Sequence, residues 1–427
     1  MTATMTDLDE RARAILRAND RGGYTVPTAR LYPFQWNWDS AFCALGFATF
    51  DTERALREVE TLVEGQWDDG MIPHIVFRRP DPDYFPGPEA WGTEGRHPEG
   101  MPTSGISQPP VLASIVRLLA SNASPERLRP LVEAAARSHQ WWAGARCDDG
   151  ATVVVHPWES GRDNCPDWDG PLDRVEIDRD LEAYTRRDTG HIDAAQRPLQ
   201  AQYDRYMTIV KFGRDCAWDP TAFHERGPFR AVDPGCHFIL MRAERDLFAL
   251  CEALGWEEGR QDAGTRLRSL EAGAASMWST DAGTWVARDA RTGEPSRAAS
   301  SASAIAFWAG AGSVGERKRA LSTMTAMLDR VEYGLPSWDP ADGAFDAPRY
   351  WRGPVWAVVN YLVSNGLKEC GHGREAERIR RSTRDLIRRS GFFEYFDPRD
   401  GRGLGGDAFS WTAAMWLAWC GVDEEVA

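Results

Sequence analysis

Apolar residues recur at three- and four-residue intervals along most of the chain, and loops rich in tryptophan, glycine and proline interrupt them. The clearest stripe is Ala55, Leu56, Val59, Leu62 and Val63, one face of a helix that Asp51 or Thr52 opens and residues 65–70 close. A charged helix over residues 6–19 precedes it, and Asp39 or Ser40 is placed to cap another through residues 41–46. Similar stripes predict helices at about 108–121, 125–146, 205–216, 235–256, 259–278, 313–331, 353–369, 373–390 and 408–420. Strand signals are few: a short extended piece at 71–77 and a hairpin near 283–287. Roughly a dozen helices separated by Trp-rich loops predict an all-α chain. The helical hairpins would close into an (α/α)6 barrel with those loops gathered at one mouth. An irregular bundle or an open solenoid is the alternative, and the lack of a fixed repeat weakens the solenoid.

Residues 162–203 break the pattern, carrying many Asp and Arg residues and few aliphatics. So long a connector reads as a lid inserted into a single unit spanning 1–427, although a solvated excursion fits the same composition. Residues 78–104, rich in Pro and Gly, are a second candidate loop.

Composition narrows the function. Of 427 residues, 42% are hydrophobic and 27% charged, as in an ordinary soluble globular protein. The formal net charge of −14 argues against nucleic acid and anionic membranes as partners. An anionic substrate would need a local cation. The 8 cysteines show no CxxC pair and no zinc spacing, so they read as free thiols. No leader pattern opens the chain and no apolar run reaches about 18 residues. A reducing, cytoplasmic setting is expected, with no metal and no cofactor. The sequence is silent on assembly and leaves a homo-oligomer open. The 19 tryptophans stand out. Many sit beside Gly, Pro and acids rather than in apolar runs, which suits a lined cleft.

The densest such stretch is 156–169, with four carboxylates (Glu159, Asp163, Asp167, Asp169) and two tryptophans (Trp158, Trp168). Indole faces stack on the C–H surfaces of a sugar and carboxylates grip its hydroxyls. Apolar rings around one acid would raise its pKa into the range of a general acid. The same residues could plug a helical core. Glu394 lies among Phe392, Phe393, Tyr395 and Phe396, and glycines follow it. Two such carboxylates suffice to cleave a glycosidic bond, one protonating the leaving oxygen and the other activating water or attacking carbon. The loop Tyr350 to Trp356, with Arg352, offers an aromatic sugar platform or a plain helix-start staple.

Ordered matches then become specific. They include Tyr32-Pro33, Trp36-Asn37-Trp38-Asp39, Gly70 to Phe77, Tyr84 to Pro88, Thr103 to Pro110, Trp158 to Gly161 and Asp163-Asn164. Gln196-Arg197-Pro198, Tyr203 to Tyr206, Tyr350 to Trp356, Glu394-Tyr395 and Ser410 to Ala414 complete them. From about residue 14 to 420 the chain resembles the bacterial branch of glycoside hydrolase family 63, which holds the mannosylglycerate and glucosylglycerate hydrolases.

The resemblance implies an (α/α)6 barrel, an inverting mechanism and a small α-linked glycoside as partner. By position it implies Asp163 as general acid and Glu394 as general base. It implies Tyr32, Trp36, Trp38, Asp39, His74, Trp158, Trp351 and Trp356 as the sugar subsite. Tyr84, Gln108, Arg197, Tyr203 and Tyr350 would hold the glycerate, with the Arg197 fork matching its carboxylate. Ala408-Phe409 stand where the family pattern carries glutamines, so one polar contact near the aglycone is lost or that wall is apolar. The rivals are an α-glucosidase for a neutral glycoside, an epimerase using His74, His156 or His237, and a non-catalytic sugar-binding protein.

Overall fold

The computed structural model describes residues 5–422. Residues 1–4 and 423–427, the ends of the expected single unit and the start of the expected leader-free opening, lie outside the described residues. Within them, six helices form a closed inner ring: Asn37–Ala48, Leu112–Leu119, Pro234–Ala253, a broken helix (Ser301–Ala304 and Ala306–Ala309), Ala357–Glu369 and Ser410–Met415. Each packs on the next, and the last packs on the first. Six outer helices back them: Met5–Asn19, Thr52–Val63, Pro125–Ala145, Glu257–Gly273, Val314–Leu328 and Gly373–Ser390. The architecture is an (α/α)6 barrel.

The outer helices are amphipathic because only one face is covered. In Thr52–Val63 the stripe Ala55, Leu56, Val59 and Leu62 is buried, and Asp51 caps the helix by accepting the Arg54 N–H. In Gly373–Ser390 only Ala376, Ile379, Thr383, Leu386 and Ile387 are buried, while a row of arginines faces out. One acid of the inward stripe is satisfied internally. Glu58 accepts from Ser40 Oγ at 2.6 Å, from Thr25 Oγ1 at 2.6 Å and from Arg54 Nη2 at 2.7 Å, tying outer helix to inner helix.

The inner ring shows where periodicity misleads. The helix at 301–309 is absent from the sequence expectation: all nine residues are buried, so it has no polar face and no amphipathic period to read. The helix expected at 205–216 exists as Gln200–Asp215 but lies outside the ring, against a short turn at Pro88–Trp91. Proline moves two other boundaries. Pro109-Pro110 delay one helix to Leu112, and Pro354 stands outside the helix that begins at Ala357. The helix expected from Ala41 begins at Asn37, so Asp39 sits in its first turn and is not the cap.

Short antiparallel pairs brace the loops at the mouth. Gln35–Trp36 pairs with Ile75–Val76, and Tyr395–Phe396 with Gly403–Leu404. The expected hairpin narrows to Thr284–Trp285 paired with Trp278–Ser279. Residues 162–203 hold only short helical turns before the Gln200–Asp215 helix. Among the described residues no helix is long and apolar enough to cross a membrane.

Ring closure needs small residues where helices touch. A Cβ on Gly46 would lie 2.6 Å from the Ala414 Cα, and one on Gly366 would lie 2.2 Å from the Trp308 backbone N. Gly366→Ala gains up to about 1 kcal/mol of helix propensity but must push backbone aside, and overpacking costs about 1–3 kcal/mol. A net loss of about 1–2 kcal/mol is expected, read as a lower urea midpoint at unchanged slope. Gly144, with nothing within 4 Å of its added Cβ, is the control: Gly144→Ala should not lower the midpoint.

Candidate active site

The loops at the mouth enclose an open cavity of about 890 Å³. All fifteen residues singled out from the sequence line it. They are Asp163 and Glu394, the sugar-subsite set Tyr32, Trp36, Trp38, Asp39, His74, Trp158, Trp351 and Trp356, and the glycerate set Tyr84, Gln108, Arg197, Tyr203 and Tyr350. The rings meet both face to face and edge-on and form a cage. Trp351 and Trp356 stack at 3.8 Å with their planes 1° apart, Trp38 meets Trp411 edge-on at 5.7 Å, and His74 stacks on Trp158 at 6.2 Å. Gln108 is partly engaged, its Oε1 accepting the Trp38 N–H at 3.3 Å.

The loop 156–169 sorts its four acids by partner. Glu159 is buried on Arg146 at 2.9 Å, Asp167 on Arg162 at 2.9 Å, and Asp169 takes both ends of the Arg352 fork at 2.7 Å. Arg352 is therefore not part of the sugar platform. It clamps the aromatic loop to the acid loop, helped by the Trp351 N–H donating to Asn164 Oδ1 at 2.9 Å. Of these four acids, Asp163 lines the cavity. The Tyr206 hydroxyl donates to its backbone carbonyl at 2.6 Å. Gly161 lets the turn approach Trp38: its φ is +66°, and a Cβ there would lie 2.7 Å from the indole. Burial raises the Asp163 carboxyl from 3.8 to about 7, with the Arg197 charge pulling the other way.

Glu394 is held on both oxygens. Oε1 accepts from the Tyr32 hydroxyl at 3.1 Å and Oε2 from the Gly406 N–H at 3.0 Å. Gly405 has φ +71°, and a Cβ there would lie 2.4 Å from Oε2, so glycine is required on both counts. Burial pushes the Glu394 carboxyl upward, against the pull of Arg197, the Gly406 N–H and Tyr32. Asp39 is pushed well above the usual carboxylate range by burial and then by the Glu394 charge.

Arg197 is not a surface arginine. It is 5% exposed, lies over the Tyr350 ring at 4.0 Å, and donates from Nε to Asp188 at 3.0 Å and from Nη2 to the Tyr32 hydroxyl at 2.9 Å. Asp188 also takes the Arg186 fork at 3.0 and 2.7 Å. Burial raises its pKa, but the Arg197 and Arg186 charges outweigh that and hold it down at about 2. Asp188, Arg187 and Trp411 line the cavity and Arg186 backs it, yet none was singled out from the sequence. The density of Asp and Arg in 162–203 was the available signal, but it names no particular pair. Phe409 does form part of the wall, edge-on to Tyr32 at 6.0 Å. His156 and His237 are fully buried in the core, and of the three histidines considered only His74 lines the cavity. Among the described residues no cluster of three or more His, Cys, Asp or Glu could hold a metal ion. Two carboxylates on one aromatic cavity, one of them protonated near neutrality, can supply acid and base to a bound sugar.

Comparison with known proteins shows the family. The profile of the mannosylglycerate hydrolase MGH1-like glycoside hydrolase domain matches residues 32–412. Mannosylglycerate hydrolase MGH1 of Selaginella moellendorffii is 44% identical over 418 residues, covering 96% of this chain and 85% of the relative. The glucosylglycerate hydrolase of Mycolicibacterium hassiacum is 34% identical, covering 98% of each. The crystal structure of the GH63 mannosylglycerate hydrolase from Thermus thermophilus, in complex with Tris and D-glycerate, superposes with a TM-score of 0.92. It is 40% identical, covering 96% of this chain and 99% of that one.

The raised Asp163 pKa makes a statement about stability. A buried carboxyl favours its protonated form, so its stabilising contribution is complete below about 3.8 and is lost as pH rises through about 7. Above that, the folded state carries a buried charge that the unfolded chain solvates freely. Asp163→Asn should therefore be more stable than wild type at pH 8, by on the order of 4 kcal/mol, with the gain vanishing toward pH 4. Denaturant titrations of both proteins across that range check it.

Proposed function

The chain belongs to the mannosylglycerate hydrolase MGH1-like glycoside hydrolases of family 63, and from that premise we propose that it hydrolyses 2-O-α-D-glucosylglycerate, 2-O-α-D-mannosylglycerate or both, with inversion. Asp163, carrying a proton near neutral pH, donates it to the glycosidic oxygen as the bond to the anomeric carbon breaks. Glu394, whose ionised form Tyr32, the Gly406 N–H and Arg197 favour against burial, takes a proton from a water that attacks the opposite face of the sugar. Asp39, pushed toward its neutral form, both donates to and accepts from sugar hydroxyls. The tryptophan faces exclude bulk water and stack on the ring.

The observation that carries the anionic aglycone is Arg197. It is a buried guanidinium lining the cavity, and its Nη1 has no hydrogen-bond partner. A planar fork with an unpartnered N–H suits a carboxylate, and an acidic protein needs such a cation to hold one. Phe409 favours a second reading, in which the aglycone is uncharged, because it makes that part of the wall apolar.

Three measurements test this. Proton NMR of the first product from an α-glycoside should show the β-anomer, and early α-anomer would rule out inversion. Asp163→Asn and Glu394→Gln should each lose about 10²–10⁴-fold in kcat. For the aglycone, kcat/KM is compared on glucosylglycerate, mannosylglycerate and uncharged glucosylglycerol. Arg197→Ala should weaken the glycerate glycosides by about 1.5–3 kcal/mol and glucosylglycerol far less. Equal losses would mean that Arg197 serves the fold or Glu394 alone, and the charged-aglycone reading would lose its main support.

A further inference from the structure

Arg197 faces two ways. Its Nε is bound to Asp188 at 3.0 Å, and its Nη2 reaches Glu394 through the Tyr32 hydroxyl, at 2.9 Å and then 3.1 Å. Its Nη1 is buried without a hydrogen-bond partner and stands 3.7 Å from the same Glu394 oxygen. Asp188 is fixed from the other side by Arg186, which takes both its oxygens and also donates to the Pro198 carbonyl at 2.8 Å. Two guanidiniums on one carboxylate leave one positive charge, and that charge is directed at the base. The groups around Glu394 are otherwise acids or phenols: Asp39 from the first turn of the 37–48 helix, Asp163 from the acid loop, and the hydroxyls of Tyr350 and Tyr395. Arg187 lines the same cavity but is paired with Asp81 at 2.8 Å.

Resting on the substrate reading above, we propose that Asp188 is a positioning residue: it holds Arg197 as a counter-ion shared between Glu394 and the carboxylate of the incoming aglycone, so that binding of an anionic substrate withdraws positive charge from both reacting carboxylates. An anion brought to Arg197 favours proton retention on both. Asp163 then keeps the proton it must donate, and Glu394 becomes the stronger base. The substrate's charge thus prepares the acid and the base, and a neutral aglycone leaves them as they are in the free enzyme.

The test is a set of pH profiles, since kcat/KM reports the free enzyme and kcat the complex. With glucosylglycerate or mannosylglycerate, both limbs of kcat should lie on the order of one pH unit above those of kcat/KM. With glucosylglycerol they should coincide. Asp188→Asn removes the anion beside Arg197 and should move both limbs of kcat/KM to lower pH, whereas Asp188→Glu should restore them. A merely structural Asp188 would lower the amplitude and leave the limbs in place. If Asp188→Asn does not fold, the wild-type comparison still decides. Coincident limbs for the charged substrates, or an equal displacement for the neutral one, overturn the inference. Absence of sugar release from both glycerate glycosides overturns the substrate reading together with it, whereas release with unmoved limbs overturns this inference alone.

Discussion

Closure of the inner ring is the constraint on which the site depends. The first inner helix, Asn37–Ala48, packs on the last, Ser410–Met415, and Gly46 is what lets their backbones touch. Asn19 reinforces the seam by donating to Ser410 Oγ at 2.9 Å and to the Ala408 carbonyl at 3.0 Å. That seam joins the two ends of the sequence. It puts Tyr32 within hydrogen-bond reach of Glu394, 362 residues away, and Trp38 against Trp411. A barrel left open there would still hold Asp163 on its loop but would not bring Tyr32 to Glu394.

Within the closed mouth, electrostatics divides the acids by their partners. Glu159, Asp167 and Asp169 are each matched to an arginine and serve to fix the loop. Asp163, Glu394 and Asp39 are buried around the cavity, and burial pushes all three carboxyls upward, with the Arg197 charge opposing that rise in Asp163 and Glu394. The instability this stores is characteristic of a site in which burial sets proton affinity and a fixed counter-ion limits it. Asp188 and Arg186 stand behind that counter-ion, so the loop 186–198 contributes charge geometry as well as wall.

Much of this was legible in the chain. The outer helices announced themselves by their stripes, because solvent on one side and core on the other impose a 3.6-residue period. The cavity-lining residues were legible through their order along the chain and their resemblance to family 63. The helix at 301–309 was invisible because burial on all sides removes the period. Arg352 misled because an arginine between two tryptophans looks like a binding group until its partner, Asp169, is seen across the loop boundary. Arg197 was recognised as a cation for the site, but its attachment to Asp188 and Tyr32 was not.

The sequence by itself determined the helical hairpins, the aromatic loops between them and two of the carboxylates that line the cavity, Asp163 and Glu394. Those depend on local spacing and on residue types in a fixed order. Only the tertiary structure decided which acids are matched to an arginine and which line the cavity. That outcome depends on which arginine each acid meets across the fold and on how far each is withdrawn from water, and neither burial nor long-range pairing is encoded in local spacing.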